Sequence, residues 1–282
     1  MANYNEPIIM ENDFDLMKRI NKHGYVDLDY IKKYCYLDIK ESTMLARLNQ
    51  LEKYKYIIKK RTFIPADSTA SYRTGYVVIA LDLIGLSFMR EFGFDCDDNT
   101  PRIKSTAPYR MYHQVQIAFS CDSLEDHFNS SVDTNFKLIK ILNEKEAYNP
   151  DVYMQPDAVL IFQNKSSKMY FAIFVEVERS YSTIERINKK LENYDAAFKS
   201  KYYDKLVELP IVHNRILFIS QNESQTDLLI DKILKNKLKE ELFVLIGKYY
   251  DVVNDPLSDA YIFANDNNRY KLLSKLEHSH KS

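Results

Sequence analysis

The sequence predicts an α+β protein in two parts, a small helical domain that ends in a β-hairpin and a larger domain in which strands and helices alternate. Three observations carry this. Over residues 13–63 three short helical patterns run into a strand. Residues 95–108 then break the patterning with a polar, proline-bearing stretch. Beyond it, apolar runs of strand length are interleaved with amphipathic helical segments.

In the first helix Phe14, Leu16, Met17 and Ile20 share a face, and Gly24 ends it. Leu28, Ile31 and Tyr34 mark the second, with Asp27 placed to cap it. Met44, Leu45, Leu48 and Leu51 mark the third, where Asp38 and Glu41 have capping-box spacing. Residues 56–63 read as a strand, 65–68 as a turn and 72–81 as the returning strand. Three helices followed by a two-stranded wing is the order of a winged helix-turn-helix, assigned to residues 10–94. Within it a further amphipathic helix at 83–92 is closed by Gly93. Residues 95–108 are the expected linker.

The second domain, residues 109–275, opens with a helix at 112–128 and continues with strands near 136–142, 158–162 and 169–178. A long helix from 182 to about 202 follows, with Ile184, Ile187, Leu191, Tyr194 and Phe198 on one face. A strand at 215–220, a helix at 226–239 and strands near 243–247 and 260–263 complete a mixed-sheet α/β domain.

Composition narrows the function. At 282 residues with 45% hydrophobic content, the chain has a globular core to bury. Its net charge of -1 means that any nucleic-acid binding must use a local basic patch. Cys35, Cys96 and Cys121 lack CxxC spacing, which argues against a disulfide framework or a zinc ribbon. Neither GxGxxG nor GxxxxGK[ST] occurs, so phosphate-cradling loops are not supported. The start lacks the basic and apolar regions of a signal peptide, and no apolar run approaches the roughly 20 residues of a membrane span. A soluble cytoplasmic protein is expected.

A basic patch is present in the first domain. Residues 38–63 hold seven basic side chains against three acidic ones. The third helix, as recognition helix, would present Lys40, Ser42, Thr43, Arg47, Asn49 and Gln50, and the wing Lys59, Lys60, Arg61 and Arg73, to phosphates and base edges. The alternative is a winged helix that binds protein, its charges a solvated face.

The second domain carries acids where an apolar strand pair should have none: Asp157 beginning the run at 158–162, and Glu176 and Glu178 ending the run at 171–178. Glu176 and Glu178, two apart, face one side of a strand. Hairpin pairing across residues 163–168 could bring Asp157 beside them. Several acids buried together call for a partner, and a divalent cation is the common one. The alternative is that all three lie on the solvated face of the hairpin.

An Asp, 18 intervening residues and Glu-x-Glu on the next strand resemble the acidic core of the PD-(D/E)XK nuclease superfamily. The resemblance implies a restriction-endonuclease-like domain in which Asp157 and Glu176 hold Mg²⁺ or Mn²⁺. The superfamily's lysine would stand at 178, where this chain has Glu178. Lys190, one turn beyond Arg186 on the next helix, could supply that cation, or could be an ordinary surface lysine.

Taken together, Tyr112-His113-Gln114 opening a helix, Gln155-Pro156-Asp157-Ala158, Val175-Glu176-Val177-Glu178-Arg179-Ser180 and Lys190-Leu191-Glu192-Asn193-Tyr194 resemble the replication-relaxation family. That family includes the C-class mobilisation relaxases of plasmids and integrative elements, and the similarity spans nearly the whole chain. It implies His113, Asp157, Glu176, Glu178 and Lys190 as catalytic positions, with Asp157, Glu176 and Glu178 as metal ligands. Glu178 stands where the family more often has Asp, and Ser180-Tyr181 follow Arg179 in place of the usual small-residue pair.

The remaining histidines point elsewhere. His278-Ser279-His280, the only HxH, sits in the Lys-rich tail and reads as solvated, while His23, His127 and His213 read as structural. Tyr194 shares a helix side with Lys190 and is the tyrosine to weigh as a nucleophile, against a plain core role beside Leu191 and Phe198. The expected function is that of a relaxase or replication-initiation factor nicking double-stranded DNA at an origin-like site, with no membrane partner and with a homodimer as an option. Two rivals stand: a catalytically inactive winged-helix regulator that retains the nuclease fold, and a restriction-like or repair nuclease unrelated to mobilisation.

Overall fold

The computed structural model of the protein describes residues 7–63, 74–96, 103–130, 135–178, 182–236, 242–266 and 268–274. The turn expected at 65–68, Arg73, Arg179-Ser180-Tyr181 and His278-Ser279-His280 lie outside the described residues. The chain is mixed α+β and divides into two compact units, residues 1–118 and 119–282.

The first unit contains α1 (Glu11–His23), β1 (Val26–Asp27), α2 (Leu28–Tyr34), α3 (Glu41–Lys53), β2 (Ile57–Phe63), β3 (Thr74–Leu81) and α4 (Leu83–Glu91). Gly24 ends α1 with φ +80°, a backbone that glycine adopts without strain. Asp27 caps α2, its carboxylate accepting the Tyr30 N–H at 2.7 Å. The expected capping box at Asp38 and Glu41 does not form. Helix α3 begins at Glu41 itself with Lys40 as its N-cap residue, so Asp38 stands too far upstream to reach the first-turn N–H groups. Strands β2 and β3 pair antiparallel from Ile57↔Leu81 onward, and β1 adds a third strand against β3, giving the order β1-β3-β2. The two-residue β1 is too short to leave a periodic signal.

Helix α5 (Pro108–Ser130) begins in the first unit and ends in the second. It starts four residues earlier than its periodicity predicts, because proline at the first helical position supplies a fitting φ and gives up an N–H that has no partner there. The division between units therefore falls inside a helix, after Ala118, whereas composition placed a linker at 95–108.

The second unit continues with β4 (Phe136–Asn143), β5 (Ala158–Asn164), β6 (Tyr170–Glu178), α6 (Ile184–Lys199), α7 (Tyr202–Val207), β7 (Ile211–Ser220), α8 (Glu223–Leu234), β8 (Val244–Lys248), α9 (Tyr249–Asn254), β9 (Tyr261–Phe263) and β10 (Arg269–Tyr270). The helix expected from 182 to about 202 is α6, which ends at Lys199; Lys201, whose φ of 52° is left-handed, separates it from α7. One seven-stranded sheet runs β10-β9-β8-β7-β6-β5-β4, with β6, β7 and β8 parallel and the flanking pairs antiparallel. Strands β5 and β6 are buried on both faces. On one face Val159, Ile161, Ala172, Phe174, Ile216 and Phe218 meet Ile187, Leu191 and Tyr194 of α6 and Leu229 and Ile233 of α8. On the other, Phe128 of α5 packs against Phe162. Among the described residues no helix is long and apolar enough to cross a membrane.

Candidate functional site

The acids are placed by strand register. Ala158 pairs with Val175, and the Asp157 N–H donates to the Val175 carbonyl at 3.0 Å, which extends the antiparallel ladder and sets Asp157 across from Glu176. Directly opposed residues on such a pair share a face at short Cβ separation. Glu178, two residues on, lies on that same face, the one that α6 covers. All three are nearly inaccessible, Asp157 at 8%, Glu176 at 4% and Glu178 at 3% exposure, so the solvated-hairpin alternative does not describe them.

Helix α6 brings the cation. Thr183 caps it, its hydroxyl accepting the Arg186 N–H at 3.3 Å, and the Ile187, Leu191 and Tyr194 stripe seats it on the sheet. Lys190 then projects beside that stripe. Its Nζ donates to Glu176 Oε2 at 2.7 Å and to Glu178 Oε1 at 2.6 Å, bridging the two acids. Tyr194, one turn further on, donates its hydroxyl to Glu176 Oε1 at 2.6 Å. Ser182 donates to Glu178 Oε2 at 2.8 Å, and its own carbonyl is held by Lys232 of α8. The Val177 N–H donates to Asp157 Oδ2 at 2.6 Å.

Three carboxylates thus face one ammonium. Burial pushes the Glu176 carboxyl above the usual range and the Asp157 charge adds to that rise, against the opposing pull of Lys190 and Tyr194. For Lys190, burial works against the ammonium, yet Glu176, Glu178 and Asp157 together hold it protonated beyond an ordinary lysine. Tyr194 is pushed up by burial and by the neighbouring Glu176 charge. An acid-rich donor set of this kind fits a hard divalent cation, and Asp157 with Glu176 is a carboxylate pair of the sort that binds Mg²⁺. Among the described residues no group of three or more His, Cys, Asp or Glu side chains is placed to hold a metal ion, and both glutamates have both oxygens hydrogen-bonded, Glu176 to Tyr194 and Lys190, Glu178 to Ser182 and Lys190.

Of the other expected catalytic positions, His113 is half-buried in the second turn of α5 rather than at its opening, since the helix starts at Pro108. It belongs to the first unit, and the carboxylates and Lys190 to the second. His127 binds the Ser123 carbonyl at 2.8 Å through Nδ1, and His213 stacks on Phe171, as structural histidines do.

The expected DNA-contacting side chains separate into two sets. Lys40, Ser42, Thr43, Asn49, Gln50 and Arg61 are exposed. Arg47 is not an open surface donor, which corrects the expectation. Its guanidinium is paired with the fully buried Asp13, with Nη2 to Oδ2 at 2.5 Å, and also binds the Ile8 carbonyl and Gln50 Oε1, both at 2.6 Å. Asp13 in addition accepts the Tyr36 hydroxyl at 2.6 Å and the Met10 N–H at 2.8 Å. Lys60 likewise turns inward, its Nζ donating to the carbonyls of Ile103 at 2.7 Å and of Lys104 and Thr106 at 3.1 Å. Lys59 bonds Asn49 and Glu52.

Sequence reasoning passed over Ser182 and the Asp13–Arg47 pair. Ser182 was within reach, four residues after Glu178; a pairing across 34 residues had no local signal. The fold and this cluster define the protein as a two-unit α+β chain with an acid-rich carboxylate–lysine site on the main sheet. Comparisons with family models, with curated proteins and with solved structures find no match.

Proposed function

We propose that the protein nicks double-stranded DNA of a plasmid or mobile element, in mobilisation or replication initiation. In this reading the first unit is a winged helix-turn-helix that binds an origin-like site, and the second is a nuclease-like domain dependent on Mg²⁺ or Mn²⁺. The observation that carries the reading is Asp157 set across from Glu176 in a buried face, with Lys190 reaching both glutamates from the next helix. Asp157 and Glu176 would hold the cation, which when bound would acidify a water molecule and offset charge at the scissile phosphate. Lys190 would contact the phosphate. His113 enters through the family resemblance alone. The exposed Lys40, Ser42, Thr43, Asn49, Gln50 and Arg61 supply donors for the duplex.

The test is nicking of a supercoiled plasmid carrying the intergenic DNA that neighbours the coding sequence, with and without Mg²⁺ or Mn²⁺. The wild type is expected to nick only with the cation, and Asp157→Ala and Glu176→Ala to bind the duplex without nicking it. Metal-dependent nicking that survives both substitutions would overturn the site. A second reading, an inactive winged-helix regulator that keeps the nuclease fold, draws on the engagement of Lys190 with both glutamates and of Glu178 with Ser182. It replaces the first if the wild type binds DNA and nicks under neither cation.

A further inference from the structure

The hydrogen bonds around the three acids fall into two kinds. Each carboxylate has one oxygen held by the scaffold: Glu176 Oε1 by Tyr194, Glu178 Oε2 by Ser182, and Asp157 Oδ2 by the Val177 N–H. These donors are a backbone N–H and two buried side chains. Tyr194 is locked among Phe174 and Phe198, and Ser182 is held by Lys232. The second oxygens of Glu176 and Glu178 are bound by one flexible side chain, Lys190, which is 24% exposed. The Lys190 contacts can therefore be exchanged without dismantling the orientation of any carboxylate.

We propose that Lys190 is an internal occupant of the cation site, its ammonium standing between Glu176 and Glu178 until a divalent cation enters between Asp157 and Glu176 and displaces it onto Glu178. Glu178 is then a positioning residue for the lysine, not a metal ligand. The inference rests on the proposed cation site and adds a competition to it. An ammonium is a point charge on a four-carbon stem, able to release Glu176 while keeping its 2.6 Å partner Glu178. The displaced ammonium would be turned toward solvent, where a phosphate could meet it.

The experiment is titration calorimetry with Mn²⁺ on the full chain, comparing wild type with Lys190→Met and Lys190→Gln and using Asp157→Asn as the blank. Removing a competing unit charge at contact distance should tighten Mn²⁺ binding by about tenfold or more. A second measurement needs no variant: acetylation of Lys190 in the wild type, followed by mass spectrometry, should accelerate when Mn²⁺ is added. If the wild type binds Mn²⁺ while both Lys190 variants bind it equally or more weakly, and labelling does not change, the competition is overturned and the cation site stands. If neither wild type nor variants bind Mn²⁺, the cation site itself falls and the competition with it.

Discussion

Each unit buries an acid against a cation and a tyrosine hydroxyl, and the two arrangements differ in balance. In the first, Asp13 meets one guanidinium from Arg47, one phenol from Tyr36 and one backbone N–H from Met10. Burial acts to raise the Asp13 carboxyl, but these donors together outweigh it and hold the group below the usual range. In the second, Glu176 meets an ammonium shared with Glu178, one phenol, and the neighbouring charge of Asp157, and burial with that charge holds its carboxyl above the usual range. A buried acid with matched donors is a staple. A buried acid beside further negative charge is a perturbed group, and that makes the second cluster the candidate site.

That contrast can be broken most forcefully at Arg47. Arg47→Met should leave Asp13 buried without its counter-charge at a cost of about 3–5 kcal/mol, read as the loss of stability in urea unfolding. Glu176→Gln, by contrast, should change stability by no more than about 1 kcal/mol, because it removes one of the mutually repelling charges. A large loss in Glu176→Gln, or none in Arg47→Met, would erase the distinction between staple and site. It follows that charge reversal at Arg47 would weaken DNA binding by unfolding the first unit, and so reports nothing about a DNA contact.

Cations sharpen the comparison next. Mn²⁺ at about 100 times its dissociation constant should add about 2.7 kcal/mol to the second unit and nothing to the first. Hydrogen exchange of amides in β6 and α6, against those in α1 and α3, separates the two. Equal protection of both would mean that the cation acts on the protein generally.

The two acids should also respond to pH with opposite signs. Asp13, depressed when folded, contributes stability that is full above the ordinary aspartate value, near pH 4, and is lost as pH falls through its lower folded value. Glu176, raised when folded, contributes stability that is full below the ordinary glutamate value and is lost as pH rises through its higher folded value. The component of each slope that vanishes in Asp13→Asn or Glu176→Gln isolates the group. Like signs for the two components would refute the electrostatic contrast.

The smallest expected effect concerns the surface. Arg61→Glu should weaken duplex binding and reduce the salt dependence by about one counterion, whereas Lys60→Gln should act through lost carbonyl contacts and leave the salt slope unchanged. Measuring both in fluorescence anisotropy across a salt series distinguishes a phosphate contact from an internal tether.

Legibility followed range. Helix stops at Gly24 and Gly93, the Asp27 cap, the β2 and β3 strands, and the shared face of Glu176 and Glu178 are set by residues within a few positions of one another, so periodicity and turn chemistry contain them. The opposition of Asp157 and Glu176 also follows, since a hairpin of that length fixes its own register. What could not be read was the fate of long side chains. The sequence offers Lys60 as a surface donor on the wing and leaves Lys190 open between a cation for the acids and an ordinary surface lysine. The first spans 43 to 46 residues to carbonyls of the chain's own backbone, and the second finds two buried glutamates 12 and 14 residues back. Arg47 shows the same limit, since nothing near it marks Asp13 as its partner. Local sequence determined which acids and bases this protein has and which way its strands present them. Only the tertiary structure decided which charges meet, because a flexible cation takes whichever buried acceptor the folded chain brings within its reach.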